Sequence, residues 1–451
     1  MGKLRFYTAL LIAQFIHIAI KILRRSGGTS FVGMIALKIC PDFLTYCNKY
    51  IKYKSITVTG TNGKTTTSGI LAKILSAKKH PVLHNVKGAN MLTGITNVFA
   101  TSTIPLRNYD YAVLESDEAY LNKLYDKYNA DYLLVTNLFR DQLDRYGELS
   151  TTASFIQKAI DKNKKLKLFL NADDPLVSNF GKNRESVYYG FQIVETYIDN
   201  NRDLAKSPTE NFKCPCGNNL EYDVKFFAQE GHYYCTSCGY ARPEPDYKGY
   251  AKIYDTYSKI TVEHNDMYYD FTINLSGLYN AYNALGAISC ALECGIPPER
   301  IKNAVDSYKS IFGRTERRII NGKNAIIQLI KNPTGASEVL KTVDLKSNIV
   351  IAINDNYADG RDISWLWDSD FEQLKDIHNK IIASGTRAKD VAVRLKYAGI
   401  AQDNIIIEEN IKSAILQASK AENSENKITI LPSYTALLKI NKMKFKKGKK
   451  K

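Results

Sequence analysis

Apolar residues along the chain recur with two periods, and the order in which those periods alternate predicts its elements. Residues 4–25, LRFYTALLIAQFIHIAIKILRR, are apolar at helical spacing with one polar stripe, Gln14, His17, Lys21 and Arg24. The apolar run falls short of the ~20 residues of a spanning helix, and no small-residue cleavage site follows Arg25. The segment predicts an amphipathic helix that docks on the body of the protein, with a membrane surface as the alternative. At Ser55 the period changes: in SITVTGTNGKTTTSGILAKIL, Ile56 and Val58 suit a buried strand, Gly60 to Gly63 a turn, and Ile70, Leu71, Ile74 and Leu75 one helical face. YDYAVLESDEAYL is an apolar strand ending in carboxylates. ADYLLVTNL is another, running into FRDQLDRYGE. Strands alternating with helices imply a parallel, doubly wound sheet. From Arg318 the alternation resumes, with strands near AIIQLI, NIVIAI and KIIAS and helices near GASEVLKTV, FEQLKDIH and RAKDVAVRLKYAG, which predicts a second α/β domain.

Length and charge narrow this picture. A chain of 451 residues exceeds one ordinary core, so two or three domains are expected. The formal net charge of +16 suggests nucleic acid, but seven lysines fall in the last ten residues, a solvated tail over 441–451. No nucleic-acid partner is expected. Eight cysteines are too few for a disulfide scaffold at this length and favour a reducing, cytoplasmic setting.

Two clusters carry chemistry. In Gly60-Thr61-Asn62-Gly63-Lys64-Thr65-Thr66, backbone N–H groups at a helix start form an anion nest; Lys64 would reach the terminal phosphates of ATP and Thr65 would offer its hydroxyl to Mg²⁺. Val58 stands where the general nucleotide motif has its first glycine, so the loop is shorter than usual. Glu115, at the tip of its strand, is a second Mg²⁺ ligand candidate. The other cluster is Cys214, Cys216, Cys235 and Cys238, two knuckles each followed by glycine, which suits a structural zinc ribbon inserted over 205–250. Four thiolates would leave Zn²⁺ no open position for catalysis. His232 reads as a surface residue. Cys290 and Cys294 read as core packing, and neither Cys40 nor Cys47 has a base or glycine elbow beside it.

The set Gly60 to Thr65, Glu115, TNLFRDQLDRYG and LSGLYNAYNALGAI resembles the Mur ligase superfamily, which forms amide bonds in peptidoglycan and folate metabolism through an acyl phosphate. The resemblance implies a central ATP-binding domain over 51–312 after a helical segment 1–50, and a C-terminal α/β domain over 313–440. It implies Asn280 and Asn283 beside the adenine and Arg314 at the phosphates. Gln142 replaces the family's magnesium-binding histidine, Gln157 its carbamylated lysine with Lys158 adjacent, and Gln328 and Lys331 the aspartate and histidine of its D-Y-A-H-N-P. With only about 54 residues before the phosphate loop, a UDP-sugar-binding domain is not expected, which points to a lipid-linked precursor or a folate.

INDNYADGRDISWLWDSDFE, residues 353–372, fails as a calcium loop, because Tyr357 and Leu366 stand at ligand positions. With the cysteine insert it resembles one branch, the ligase subunits of lipid II isoglutaminyl synthases. By that resemblance the chain amidates the α-carboxylate of D-glutamate in lipid II at the inner face of the plasma membrane, in peptidoglycan and cell wall biogenesis. It would take ammonia from a GatD-like glutaminase subunit in a heterodimer, with Asp355 completing that partner's Cys-His pair and Asp359 and Asp362 as weaker alternatives. A stand-alone amino-acid-adding ligase is the runner-up. Trp365 and Trp367 read equally as interface anchors or core.

Overall fold

The computed structural model describes residues 2–22, 30–76, 80–85, 89–102, 108–140, 149–197, 213–309, 314–421 and 427–445. The first half is built from strands β1 (Ile51–Thr59), β2 (Val82–His84), β3 (Tyr109–Glu115), β4 (Tyr132–Val135), β5 (Lys167–Asn171) and β6 (Ser186–Tyr197). A hairpin of β7 (Glu221–Phe227) and β8 (Glu230–Tyr234) follows, then β9 (Tyr247–Tyr254), β10 (Ser258–His264) and β11 (Met267–Ile273). Nine of these form one sheet in the order β11-β10-β9-β6-β5-β4-β1-β3-β2. From β2 to β9 the pairing is parallel, and β10 and β11 add an antiparallel edge.

Period-two alternation sets both faces of this sheet. Ile56, Val58, Tyr111, Val113, Tyr132 and Leu134 join one core with α3 (Lys64–Leu75) and the helix Leu278–Glu293. Ala112, Leu114, Leu133 and Val135 point the other way, into a core shared with α1 (Gly2–Ile22), α2 (Phe31–Ile39) and α4 (Leu92–Ser102). Strands covered on both faces read as near-continuous apolar runs, as these do. β1 lies between β3 and β4, where the strand order reverses, and the crevice at the C-terminal strand ends opens there.

The N-terminal helix docks, as the first of the two readings has it. Phe6, Ala9, Leu10 and Ala13 are buried, and Gln14 donates to the Ala100 carbonyl at 2.6 Å. α2 crosses α4 so closely that a Cβ on Gly33 would fall 1.9 Å from the Thr93 carbonyl oxygen. The polar stripe is therefore not the helix's solvent face: Gln14 belongs to the packed side.

The second half is a six-stranded sheet, β12 (Arg314–Ile320), β13 (Lys323–Gln328), β14 (Asn348–Ala352), β15 (Ile381–Ser384), β16 (Ile405–Ile407) and β17 (Lys427–Pro432), in the order β12-β13-β17-β14-β15-β16. β12 and β13 form a hairpin whose turn, Asn321-Gly322, has φ of 50° and 84°, as a tight antiparallel turn demands. The remaining neighbours pair in parallel. FEQLKDIH departs from the expected helix: only Phe371–Leu374 is helical, as a 3₁₀ turn. Its buried residues Phe371, Leu374 and Ile377 are spaced by three, which fits a 3₁₀ turn better than the 3.6-residue period of an α-helix.

Candidate functional site

The glycine loop is held from below by the exit of β4. Thr61 N–H donates to the Asn137 carbonyl at 2.9 Å, Asn62 N–H to Asn137 Oδ1 at 2.9 Å, and Thr136 Oγ1 to the Asn62 carbonyl at 2.7 Å. Gly60 and Gly63 adopt φ of 124° and 85°, open to glycine and strained for other residues. At Gly63 there is also no room, since a Cβ would meet Asn283 Oδ1 at 1.9 Å. Asn283, on the helix Leu278–Glu293, thus lies directly under the loop, where its Oδ1 accepts from Thr67 Oγ1 at 3.2 Å. Asn280, buried one turn earlier, donates to the Ser276 carbonyl and supports Asn283.

Lys64 is buried and folded back. Its ammonium donates to the Gly60 carbonyl at 2.5 Å and to Glu118 Oε1 at 2.8 Å. Burial works against its charge, but the Glu118, Asp117 and Glu115 carboxylates outweigh it and raise the pKa. Glu118 heads α5 (Glu118–Tyr125), and sequence reasoning missed it because the Lys64 partner lies 54 residues away. Glu115 ends β3 as expected. Its backbone is clamped by Asn85, its Oε1 accepts from Asn90 Nδ2 at 3.3 Å, and its Oε2 is buried with no hydrogen-bond partner among the described residues. A carboxylate oxygen left dry and unpaired beside a glycine loop suits a cation. Thr65, in the first turn of α3, is part-exposed.

The C-terminal half closes over this loop. Asn332 caps the helix Pro333–Lys341 by accepting from Gly335 N–H at 2.8 Å, and its amide donates to Asn62 Oδ1 at 2.9 Å. A cleft between the halves is lined by Asn62, Phe139, Phe227, Asn283, Lys331 and Glu338. Tyr434 also faces this region. Burial raises its phenol, and the Asp359 and Glu115 carboxylates add to the rise, although Glu115 belongs to the other half.

Several expected positions stand elsewhere. Gln142, Asp141, Asp144 and Gly147 fall outside the described residues, as do 205–212 and the tail from 446. Arg314 opens β12, but its side chain is likewise outside. Gln157 bonds Asp161 at 2.8 Å on the helix Leu149–Lys162, and Lys158 is exposed.

The acidic stretch after β14 divides by role. Asp359 is buried and spent: it accepts from the backbone of Asn356 and Thr435 and from Thr435 Oγ1, fixing the start of the last helix, Tyr434–Lys442. Asp362 accepts from Ser364 N–H at 2.8 Å. Asp368 reaches Arg140 of the first half at 3.5 Å. Asp355 is half-buried at the tip of β14, with Oδ1 taking Thr386 Oγ1 at 2.8 Å and Oδ2 taking Arg387 Nε at 2.9 Å. The Thr386 hydrogen bond and the Arg387 guanidinium hold its carboxyl below the usual range. Trp365 is core, whereas Trp367 is exposed and meets Tyr397 edge-on at 5.5 Å.

Cys214, Cys216, Cys235 and Cys238 converge with their sulfurs within 4.8 Å of one another. Each knuckle turns through a left-handed glycine, Gly217 at φ 91° and Gly239 at φ 72°. His232 is no ligand: its Nε2 meets the Phe191 carbonyl at 2.8 Å. The hairpin attached to this cluster reaches the cleft between the halves. At its tip Gln229 donates to the Leu138 carbonyl at 2.5 Å, and Phe227 packs on Phe139 and Tyr282.

Comparison with known proteins agrees with this geometry. Residues 58–291 match the Mur ligase middle domain, and residues 329–437 match the MurT ligase C-terminal domain. The chain is 35% identical over 431 residues to lipid II isoglutaminyl synthase (glutamine-hydrolyzing) subunit MurT of Streptococcus pneumoniae, covering 94% of both chains. To the subunit of the same name from Staphylococcus aureus it is 35% identical over 440 residues, covering 96% of both. Among solved structures it resembles a pseudomurein peptide ligase type C from Methanothermus fervidus, with a TM-score of 0.67, 23% identity, and coverage of 87% of this chain and 79% of that one. It also resembles Mycobacterium tuberculosis folylpolyglutamate synthase, with a TM-score of 0.60, 14% identity, and coverage of 96% and 100%. At these identities the structural likenesses speak for the fold alone.

Proposed function

This chain belongs to the Mur ligase family and, within it, to the MurT subunits of lipid II isoglutaminyl synthase, and from that membership we propose how its residues divide the work. It is the ATP-dependent ligase subunit of a glutamine-hydrolysing synthase that amidates the cell wall precursor. The substrate is lipid II, met at the inner face of the plasma membrane, and the partner is a GatD-like glutaminase that delivers ammonia. A glutamyl carboxylate oxygen attacks the γ-phosphorus of ATP, the bond to the bridging oxygen breaks, and ADP leaves. Ammonia then adds to the acyl carbon, phosphate departs with the C–O electron pair, and the spare proton goes to solvent or base, leaving D-isoglutamine.

The observation that carries this reading is the pairing of a caged lysine with an orphaned carboxylate under one loop. Lys64 sits on Glu118 at 2.8 Å, and breaking a buried pair costs about 3–5 kcal/mol unless another anion takes over. The phosphates of ATP are that anion, held by the N–H groups after Gly60 to Gly63 and by Lys64. Glu115 Oε2 and the Thr65 hydroxyl fit Mg²⁺, which neutralises phosphate charge when bound. Asn280 and Asn283 support the floor of the nucleotide cleft near the adenine, and Arg314 serves the phosphates.

The four thiols fit Zn²⁺. A tetrahedron with Zn–S of about 2.3 Å has edges of about 3.8 Å, and the pairs Cys214–Cys238 and Cys216–Cys235 stand at 3.4 and 3.6 Å. The ion would lock the hairpin whose tip lines the cleft. Asp355 would orient the partner's histidine. Arg387 takes Oδ2 through both Nε and Nη2, at 2.9 and 2.8 Å, so about one lone-pair site is left, on Oδ1 beside Thr386, and the carboxylate stays ionised at neutral pH.

The test supplies the chain and a GatD-type glutaminase with ATP, glutamine and lipid II, and follows the product by mass. Conversion of one acid to an amide is expected with the wild type and none with Lys64→Ala. Addition of an amino acid without the glutaminase would overturn the reading in favour of a stand-alone ligase.

A further inference from the structure

The helix that opens the chain is amphipathic in the wrong sense for a docked element, because the side it turns to solvent is its most apolar. Among the described residues, nine of the 22 exposed large hydrophobic side chains fall within residues 4–34. On α1, Leu4, Leu11, Phe15, Ile18 and Ile22 are 74, 66, 74, 53 and 75% exposed, and Tyr7 joins them. At 100° per residue these six lie within about 80° of the helix circumference. The opposite side is committed to the protein through Phe6, Ala9, Leu10 and Ala13, so the helix is not free to cross a bilayer even though its length and composition would permit it. α2 adds Phe31 and Met34, also exposed.

Charge says what covers this face. Residues 1–41 contain Lys3, Arg5, Lys21, Arg24, Arg25 and Lys38, six basic side chains, and no acidic one before Asp42. On the helical wheel Lys3 and Lys21 flank the stripe on one side and Arg5 on the other. A second copy of this chain seated on the stripe would set like charges against each other around a two-fold axis, which disfavours it. An acidic lipid surface meets both features: hydrocarbon takes the stripe while long basic side chains reach the headgroups.

We propose that the outward stripe of α1 is an in-plane docking face for an anionic phospholipid bilayer. The face is separate from the nucleotide cleft, and the lipid-linked substrate proposed above would give the attachment its use. Each basic residue near the surface adds about fivefold to vesicle partitioning, so Lys3, Arg5 and Lys21 together add about a hundredfold.

The test is cosedimentation of the full chain with vesicles of phosphatidylcholine alone and of phosphatidylcholine with phosphatidylglycerol. The wild type should bind the phosphatidylglycerol vesicles at least tenfold better. Leu11→Glu with Phe15→Glu and Ile18→Glu, all exposed and therefore harmless to the fold, should lower that binding at least tenfold. Lys3→Glu with Arg5→Glu and Lys21→Glu should lower the preference for the acidic lipid at least tenfold. Amidation of a water-soluble muropeptide should stay unchanged in both variants. Wild-type protein that stays in the supernatant with acidic vesicles would overturn the proposal. So would apolar-stripe variants that bind as the wild type does, or a self-association that the variants abolish while vesicle binding is absent. Failure of the wild type to amidate the soluble muropeptide would instead count against the assigned reaction and leave the vesicle result standing.

Discussion

Glu115 and Lys64 face opposite electrostatic problems, and in the function proposed above ATP with Mg²⁺ answers both. The carboxylate has one oxygen dry and unpaired, while the ammonium is buried on a neighbour it must share with phosphate. Glu115→Gln keeps the shape and removes the charge. Amidation should fall about 10²-fold or more, the scale of losing one preorganised electrostatic contact in a closed site, and nucleotide binding should lose its dependence on Mg²⁺. Titrating Mg²⁺ against nucleotide affinity in both proteins checks this; an unchanged dependence would remove Glu115 from the cation site. At this scale the sequence was readable wherever the backbone itself makes the site, as in Gly60 to Thr66 and at a strand tip such as Glu115. It was silent on Glu118, Asn90 and Asn85, whose partners lie 25 or more residues away and carry no spacing signal. Asp355, Asp359 and Asp362 look alike as letters. Only the fold separates the one left at the surface from the two that build turns.

At the scale of elements, the hairpin β7–β8 matters most, because it joins the four-cysteine cluster at one end to the nucleotide cleft at the other. Phe227 and Gln229 at its tip touch Phe139 and the Leu138 carbonyl, next to the residues that pin the glycine loop. If the cluster holds Zn²⁺ as proposed above, a chelator or Cys235→Ser should therefore weaken nucleotide affinity about tenfold or more as well as lower the melting temperature. Calorimetric titration with a non-hydrolysable nucleotide checks it. A stability loss with unchanged affinity would leave the cluster a remote staple. The cysteine spacing announced the cluster, but nothing in the sequence tied it to the cleft, since that contact is made by apolar tip residues with no motif of their own. The two strand-helix alternations were legible for the usual reason that buried parallel strands are continuous apolar runs. For α1 the sequence announced docking but not orientation: its polar stripe borders the packed side, and an apolar side faces out, an arrangement that periodicity alone cannot orient.

The whole molecule sets three features apart: the apolar outer face of α1, a cleft between two α/β halves, and an acidic stretch carrying Asp355. Asn62–Asn332 and Arg140–Asp368 join the halves near the second of these. In the function proposed above, ligation and glutaminase activation reside in different residues of one chain. That division is tested most directly by the source of the amide nitrogen, using glutamine labelled with ¹⁵N at its side-chain amide, the glutaminase partner, ATP and lipid II. The wild type should transfer ¹⁵N to the product. Asp355→Asn should lose that transfer and still amidate lipid II when free ammonia is supplied. Lys64→Ala should fail with either nitrogen source. Transfer of label by Asp355→Asn at the wild-type rate, or its failure with free ammonia, would contradict the account.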